Sequence, residues 1–255
     1  MSVINTNVKS LVAASALTVN ERFLATSMEQ LSTGKRINGA KDDAAGMAIA
    51  SRMTAQIRGL DQAVRNANDG ISMLQTADGA MEEVSNMFQR MRELSVQYAN
   101  DTNGTADLTA LSTEFAALSA EIDRINDDTL WNGMTLFGAS GVFQVGANSG
   151  DTISFTVDSL TITGAIDDLE AIDTDIDTLN ESRSTLGSLI NRLTYASNNA
   201  LNVSQNTSAS RSRIQDTDYA KTSAELARTQ IIQQAATAML AQANQSSQSV
   251  LALLK

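Results

Sequence analysis

The chain has 255 residues, a net charge of −11, no histidine, cysteine or proline, and only 4% aromatic residues. A zinc hydrolase, a Ser-His-Asp hydrolase and a Cys-His protease are excluded, because each needs histidine or cysteine. Residues 125–182 contain eleven acidic residues and no lysine or arginine. This acidic middle argues against nucleic acid as a partner and favours a surface held in solvent. Nothing points to catalysis by carboxylates or lysine, so we predict that the protein is not an enzyme and needs no cofactor.

The sequence also lacks the segments that direct a chain into or across a membrane. No apolar run approaches the ~20 residues that a membrane-spanning helix needs, so we expect no membrane insertion. The first nine residues lack the basic stretch and apolar block of a cleavable signal peptide. If the protein leaves the cell, we expect a route that cleaves no such peptide.

The first 37 residues predict a weak amphipathic helix. Apolar residues recur at broadly helical spacings, but small and polar residues separate them, and short helices of this kind are marginal alone. These positions include Leu11, Leu24, Met28 and Leu31. Two glycines and an asparagine within residues 33–39 then predict a connector.

The stretch from residue 44 to residue 99 predicts one long helix, with Asp42 or Asp43 near its N-terminus. Apolar residues recur about every 3.5 residues, which is typical of a helix that packs along other helices. At about 1.5 Å per residue the helix would extend roughly 84 Å, which predicts a rod. Four glycines each cost about 1 kcal/mol relative to alanine, so tertiary packing must hold this helix. They are Gly46, Gly59, Gly70 and Gly79.

Turn residues at 100–104 predict a loop that returns a second helix antiparallel to the first. Thr105 or Asp107 is placed to cap this second helix, whose apolar residues form a heptad seam to residue 125. Residues 131–133 predict a turn. Alternating residues at 142–145 and 152–157 predict one β-hairpin, which must lean on the helices because a two-stranded hairpin is marginal alone.

A third long helix is predicted from about residue 166 to residue 208. A polar break at 211–219 separates it from a last helix over 221–254. Apolar positions of the last helix include Leu226, Ile231, Ile232, Leu240, Leu251 and Leu254.

Three alternating aspartates at 173, 175 and 177 have the spacing of a calcium loop. However, Thr178 stands where such a loop needs glycine, and Ser184 stands where it needs glutamate. We interpret the three aspartates as the solvated face of a helix and predict no metal site.

Together these elements predict a mainly α fold: a long antiparallel helical bundle or coiled-coil rod with one β-hairpin, plus a terminal two-helix coiled coil. We expect three domains, an N-terminal helix with its connector (1–40), a central bundle with the hairpin (41–210), and a connector with the C-terminal helix (211–255). The two weak end helices would pair with each other and with the same segments of neighbouring molecules.

Several long strings of residues resemble those of bacterial flagellins. They are VINTN (3–7), LSTGKRIN (31–38), AKDDAAG (40–46), RNANDGIS (65–72), QVGAN (144–148), SRSRIQDTDYA (210–220) and LAQANQ (240–245). The resemblance implies a structural subunit that self-assembles into the flagellar filament for swimming motility. It places the terminal helices in the inner tube of the filament, where their apolar residues would carry polymerisation.

The resemblance also implies partners and a location. The protein would be secreted through the flagellar type III apparatus, with an export chaperone, and would polymerise under the filament cap beyond the hook-filament junction proteins. Residues 158–168 occupy the place where flagellins carry variable outer domains, so those domains are absent here. We expect this acidic segment on the outermost filament surface, because uncompensated acids would repel one another between subunits.

One stretch is similar to the flagellin segment that Toll-like receptor 5 of animal hosts recognises. From the residues alone it is the solvated flank of a long helix. The resemblance carries over Arg90, Leu94 and, on the second helix, Glu114, and we expect Leu94 on an accessible face beside Arg90. The receptor would then recognise only the monomer, because the next subunit covers this face in the filament. The predicted site comprises Gln89, Arg90, Glu93, Leu94, Gln97 and Glu114.

Two other functions stay open at this stage. A helical signalling rod, such as the cytoplasmic hairpin of a chemoreceptor, also has heptad seams, but it is uninterrupted and attached to membrane spans. A secreted adhesin or hook-junction protein resembling flagellin is the third possibility. The two polar breaks and the β-hairpin favour the filament subunit over the signalling rod.

Overall fold

The computed structural model of the protein describes residues 6–252, with side chains described through residue 245. The helices are α1 (Val8–Thr33), α2 (Ala44–Tyr98), α3 (Thr105–Asp128), α4 (Leu169–Gln215) and α5 (Tyr219–Ala252). The short strands β1 (Leu130–Trp131) and β2 (Met134–Thr135) form one hairpin, and β3 (Ser140–Gln144) and β4 (Thr152–Thr156) form another. The mainly α fold with its predicted hairpin is confirmed, and β1–β2 is an addition. No helix in the described range combines the length and apolarity that crossing a bilayer requires.

Side-chain caps decide where the helices begin, and they correct some predicted ends. The Asp43 carboxylate accepts a hydrogen bond from the Gly46 N–H at 2.8 Å. Asp43, one of the two aspartates predicted near the N-terminus of α2, is therefore its N-cap. Gly104 is the N-cap of α3. Of the two residues predicted to cap this helix, Asp107 does so from its third position, where its carboxylate accepts a hydrogen bond from the Gly104 N–H at 3.1 Å.

The predicted polar break at 211–219 is too long. α4 continues to Gln215, so only residues 216–218 separate it from α5. The Asp218 carboxylate then accepts hydrogen bonds from the N–H groups of Ala220 and Lys221, at 3.0 and 3.2 Å. These bonds satisfy amides at the start of α5, which is why a polar stretch begins a helix here.

The chain folds as two compact units. Unit 1 comprises residues 1–54 and 207–255, and unit 2 comprises residues 55–206. Their boundaries lie inside α2 and α4, whereas the sequence placed boundaries in the connectors.

Unit 2 is built on α2 and α4, which run antiparallel. Arg92 pairs with Asp173 at 2.5 Å, Asp78 with Arg183 at 2.9 Å, and Asp61 accepts a hydrogen bond from Ser204, so rising numbers on α2 meet falling numbers on α4. The core between the elements is apolar. Its fully buried side chains include Leu74, Met81, Val84, Phe88, Met91, Leu94, Ile122, Leu136, Val157, Ile172, Leu186 and Leu193.

Two of the glycines in α2 make room for the β3–β4 hairpin. A Cβ atom on Gly70 would lie 3.0 Å from the ring of Phe143, and one on Gly59 would lie 3.0 Å from the Cβ of Ala147. Between them, Asn66 donates a side-chain hydrogen bond to the Gln144 carbonyl at 3.2 Å. The helix accepts the propensity cost of these glycines because the hairpin can then pack directly on its backbone.

Asp175 corrects the interpretation of the three aspartates as a solvated face. It is 6% exposed, and its carboxylate accepts hydrogen bonds from the Thr163 N–H at 2.9 Å, the Thr163 hydroxyl at 2.6 Å and the Gly164 N–H at 3.1 Å. Asp175 therefore anchors the segment that contains Thr163 and Gly164, which precedes α4, to α4 itself. Asp173 pairs with Arg92, and Asp177 is exposed. The described residues contain no group of acidic side chains arranged to hold a metal ion.

Candidate assembly surface and Arg90 face

The helix pair of unit 1 has a polar seam. α1 packs along α5, and the side chains buried between or beside them are Asn20, Ser27, Thr222 and Thr229. The Asn20 amide donates a hydrogen bond to the Thr229 carbonyl at 2.8 Å. Leucines on both helices are only partly buried, so the pair leaves much of its apolar surface uncovered.

Large apolar side chains are accordingly exposed on both helices of unit 1. Their exposed fractions range from 41% for Ile232 to 66% for Ile231. On α1 they are Val8, Leu11, Val12, Val19, Phe23 and Met28, and on α5 Tyr219, Ile231, Ile232 and Met239. A concentration of exposed apolar residues of this kind marks an interaction surface.

Part of this surface forms a groove along the pair. Val8 and Val12 face Ile232 and Met239 across a cavity of about 750 Å³, and the groove continues to Phe23. We call this surface the apolar groove. Its residues on α1 lie at positions 8, 12, 19 and 23, a spacing that keeps one helical face.

The structure divides the ten predicted polymerisation residues into three groups. Leu11, Met28, Ile231 and Ile232 are exposed, as an assembly surface requires. A second group is partly buried and comprises Leu24, Leu31, Leu226 and Leu240. The side chain of Leu251 and the whole of Leu254 lie outside the described residues.

The set of ten predicted polymerisation residues does not contain Val8, Val12, Val19 and Phe23, which line the groove. Their i, i+4, i+11, i+15 spacing was the available signal, and it was hidden because the leucines and methionine of α1 form a competing pattern.

A second candidate site lies on α2 and α3 of unit 2. The Arg90 guanidinium contacts Glu93 at 3.0 Å and Glu114 at 2.8 Å, and thereby bridges the two helices. The hydrogen bonds to Glu114 and then to Glu93 raise the pKa of Arg90, which keeps this side chain charged. Gln89 and Gln97 are exposed on the same helix. We call this set of residues the Arg90 face.

Leu94 does not belong to the Arg90 face, and its predicted accessible position is wrong. Its side chain is 1% exposed and lies in the core of unit 2. α2 packs against α3 on one side, through Arg90, and against α4 on the other, through Arg92. The buried stripe is therefore wider than one heptad seam, and it includes Leu94 together with Met91 and Ser95.

Comparison with protein families identifies the chain. The family described as the bacterial flagellin N-terminal helical region matches residues 4–141, and the bacterial flagellin C-terminal helical region matches residues 169–254. The chain belongs to the bacterial flagellins. A flagellin of Halalkalibacterium halodurans is 45% identical, over 99% of this chain and 100% of that protein.

Polar flagellin F of Vibrio parahaemolyticus is 35% identical, over 98% of this chain and 99% of that protein. That alignment spans 373 positions, because the relative carries residues that this 255-residue flagellin lacks. The crystal structure of Bacillus cereus flagellin matches with a TM-score of 0.49 and 34% identity, over 53% of this chain and 88% of that one.

Membership of this family fixes the general function. Flagellins are structural proteins, not enzymes, and they self-assemble into the extracellular filament of the bacterial flagellum. The short length corresponds to a form without variable outer domains, in which residues 157–168 connect β4 directly to α4.

Proposed function

We propose that this flagellin assembles through the apolar groove of unit 1, which equivalent helices of neighbouring copies cover in the filament. The observation that carries the proposal is that the fully buried side chains of the α1–α5 pair are polar, while large apolar side chains stay exposed along the groove. Burying a valine, isoleucine or methionine fully contributes about 1.5–3 kcal/mol. Several such residues lie along the groove, so their burial can offset the entropy that a copy loses on joining the filament.

Substitutions in the groove test this proposal. Val12→Asn combined with Ile232→Asn places amides on both walls while leaving the polar seam between α1 and α5 intact. We expect the variant to remain a helical monomer and to form no filaments under conditions in which the unmodified chain does, as judged by electron microscopy.

Tyr195→Asn is the matched control, because Tyr195 is 75% exposed but belongs to unit 2. This control should polymerise. Filaments of normal length from the double variant would contradict the proposal.

The same assembly would serve swimming motility. Consistent with the family resemblance, the monomer would leave the cell through the flagellar type III apparatus, with an export chaperone, and would add at the tip under the filament cap, beyond the hook-filament junction proteins. Deleting the gene should abolish swimming in soft agar, and the double variant above should fail to restore it although it is exported. Full swimming with that variant would argue against this role.

A second candidate function is recognition of the monomer by Toll-like receptor 5. The Arg90–Glu114 bridge supports it, because a half-exposed arginine held in place by two carboxylates is pre-organised to anchor an interface. Glu93, Gln89 and Gln97 would supply surrounding polar contacts. Leu94 would contribute only by holding α2 in position.

A receptor-reporter assay with purified monomer tests this function. Arg90→Ala should reduce activation, whereas Arg124→Ala should not. Arg124 is the matched control, since it is also an exposed arginine that pairs with two carboxylates, on α3. Silent wild-type monomer, or full activity of Arg90→Ala, would contradict the proposal.

A further inference from the structure

The chain contains three Asn-Gly dipeptides, at residues 38–39, 103–104 and 132–133. In such a pair the glycine nitrogen can attack the side-chain carbonyl carbon of the asparagine. A new C–N bond forms, ammonia leaves, and the resulting succinimide takes up water to give aspartate or isoaspartate. The reaction consumes one water and releases one ammonia, and it needs a glycine N–H that is free to approach.

Two of the dipeptides are held in an unreactive arrangement. The Gly39 N–H donates to the Asp42 carboxylate at 2.9 Å, and the Asn38 amide donates to the Lys35 carbonyl at 2.9 Å. Hydrogen bonds from the backbone N–H groups of Gly39 and then Asn38 lower the pKa of Asp42, so the acceptor stays charged.

The second dipeptide repeats this arrangement at the start of α3. The Gly104 N–H donates to the Asp107 carboxylate at 3.1 Å, and the Asn103 amide donates to the Gln97 carbonyl at 2.5 Å. In both places a carboxylate occupies the nucleophilic N–H, and a carbonyl fixes the amide that would leave.

Asn132 and Gly133 lack both restraints. They form the tip of the β1–β2 turn, with φ angles of 50° and 82°, and both are exposed. Within the described residues, neither the Asn132 amide nor the Gly133 N–H makes a hydrogen bond. The pairs Leu130–Thr135 and Trp131–Met134 and one hydrogen bond from the Leu136 N–H to the Thr129 carbonyl close the hairpin, and none of these contacts holds Asn132 or Gly133 directly. A two-stranded hairpin is marginal alone, so the turn can undergo the rotation that ring closure requires.

We propose that Asn132 is a site of spontaneous deamidation in this protein, and that its product alters the β1–β2 hairpin. The product carries a new negative charge. As isoaspartate it also adds an atom to the backbone of a two-residue turn, which breaks the register between Trp131 and Met134. Trp131 is the only tryptophan of the chain and packs partly buried against the core, so its fluorescence reports the change directly.

The test is a time course of the full-length monomer at mildly alkaline pH, followed by peptide mass spectrometry. Conversion of amide to acid should be about ten- to a hundredfold faster at Asn132 than at Asn38 or Asn103, because each of these must first release an N–H bonded to a charged group. Trp131 emission should shift in step with the Asn132 product. No conversion at Asn132, or equal conversion at all three sites, would overturn the proposal.

Two variants test whether the hydrogen bond of the glycine N–H, rather than the general exposure of the dipeptide, sets the rate of deamidation. Asp107→Ala frees the Gly104 N–H, so conversion at Asn103 should rise severalfold while conversion at Asn132 stays unchanged. Asp42→Ala should do the same for Asn38, and it replaces the first variant if circular dichroism shows that the first does not fold. Unchanged rates at the freed sites would show that the carboxylates do not protect them, which would also overturn the account.

Discussion

The two units of this flagellin bury opposite kinds of side chain. Unit 2 buries a continuous apolar core whose residues run from Ala67 to Leu193. In the described part of unit 1 the fully buried apolar residues are only Ile37 and Ala50, and the fully buried side chains of the α1–α5 seam are polar, with leucines only partly buried beside them. The difference indicates that unit 2 is stabilised by its own packing, whereas unit 1 leaves its main hydrophobic surface exposed, which is the surface that other copies cover in the proposed assembly.

The two units also carry opposite net charges. Unit 1 carries eleven basic and seven acidic residues, a net charge of +4, and unit 2 carries seven basic and 22 acidic residues, a net charge of −15. All five lysines lie in unit 1. Copies of unit 2 would therefore repel one another over long range, and salt would weaken this repulsion. In the proposed assembly, the apolar groove of unit 1 supplies the attraction between copies.

The largest expected effect comes from truncating one leucine in each unit. Leu94→Ala in unit 2 should lower the free energy of unfolding of the monomer by about 2–5 kcal/mol, because the core cannot refill the cavity. Leu11→Ala in unit 1 should change it by less than about 0.5 kcal/mol, because Leu11 is 61% exposed. Denaturant unfolding of both variants measures the contrast, and equal losses would remove the distinction between the units.

A smaller contrast lies within α2. Gly79 has open space where a Cβ would stand, so Gly79→Ala should stabilise the monomer by about 1 kcal/mol through helix propensity. Gly70→Ala gains the same propensity but pushes its Cβ against Phe143, and overpacking of this kind costs about 1–3 kcal/mol. Gly70→Ala should therefore be the less stable of the two in thermal unfolding. The reverse order would show that the hairpin does not rest on this glycine.

These residues also show which features of the fold can be predicted from the sequence. Periodicity predicted the long helices, because each helix repeats its own pattern over many turns. Periodicity could not explain why Gly59 and Gly70 are glycines. The residues that pack against them, Ala147 and Phe143, belong to a hairpin that is distant in sequence. Periodicity could not assign Asp175, because the amides that it binds lie in an irregular segment. Leu94 was predicted on an accessible face because the spacing of a single apolar seam does not show that α2 packs against helices on two sides.

The assembly surface was predictable only in part. The sequence showed that the end helices have too little apolar surface to be stable alone. Four of the residues predicted on that basis are exposed in the structure. The polar seam was not visible, because Asn20, Ser27, Thr222 and Thr229 look like surface residues until the two helices are paired.

Acidification should give the smallest effect, mainly in unit 2. Hydrogen bonds from Arg124 and Arg92 lower the pKa values of Glu121 and Asp173, respectively, below the ordinary 4.5 and 3.8. Each pair therefore contributes stability that is present above the ordinary pKa and is lost as pH falls through the lowered one. The melting temperature should drop slightly between about pH 5 and about pH 3, and less so in Arg92→Gln. An identical drop in this variant would exclude the Arg92–Asp173 pair as a contributor.

The most direct test of the central claim, that other copies cover unit 1 in the filament, uses the position of the lysines. Lys9, Lys35, Lys41 and Lys221 are exposed in the single chain. An amine-reactive reagent should label all four in the monomer and label them several times less in assembled filaments, as measured by peptide mass spectrometry. Ser159→Lys, in the segment proposed to lie outermost, should stay fully labelled in both states. Equal labelling of the four native lysines in monomer and filament would contradict the account.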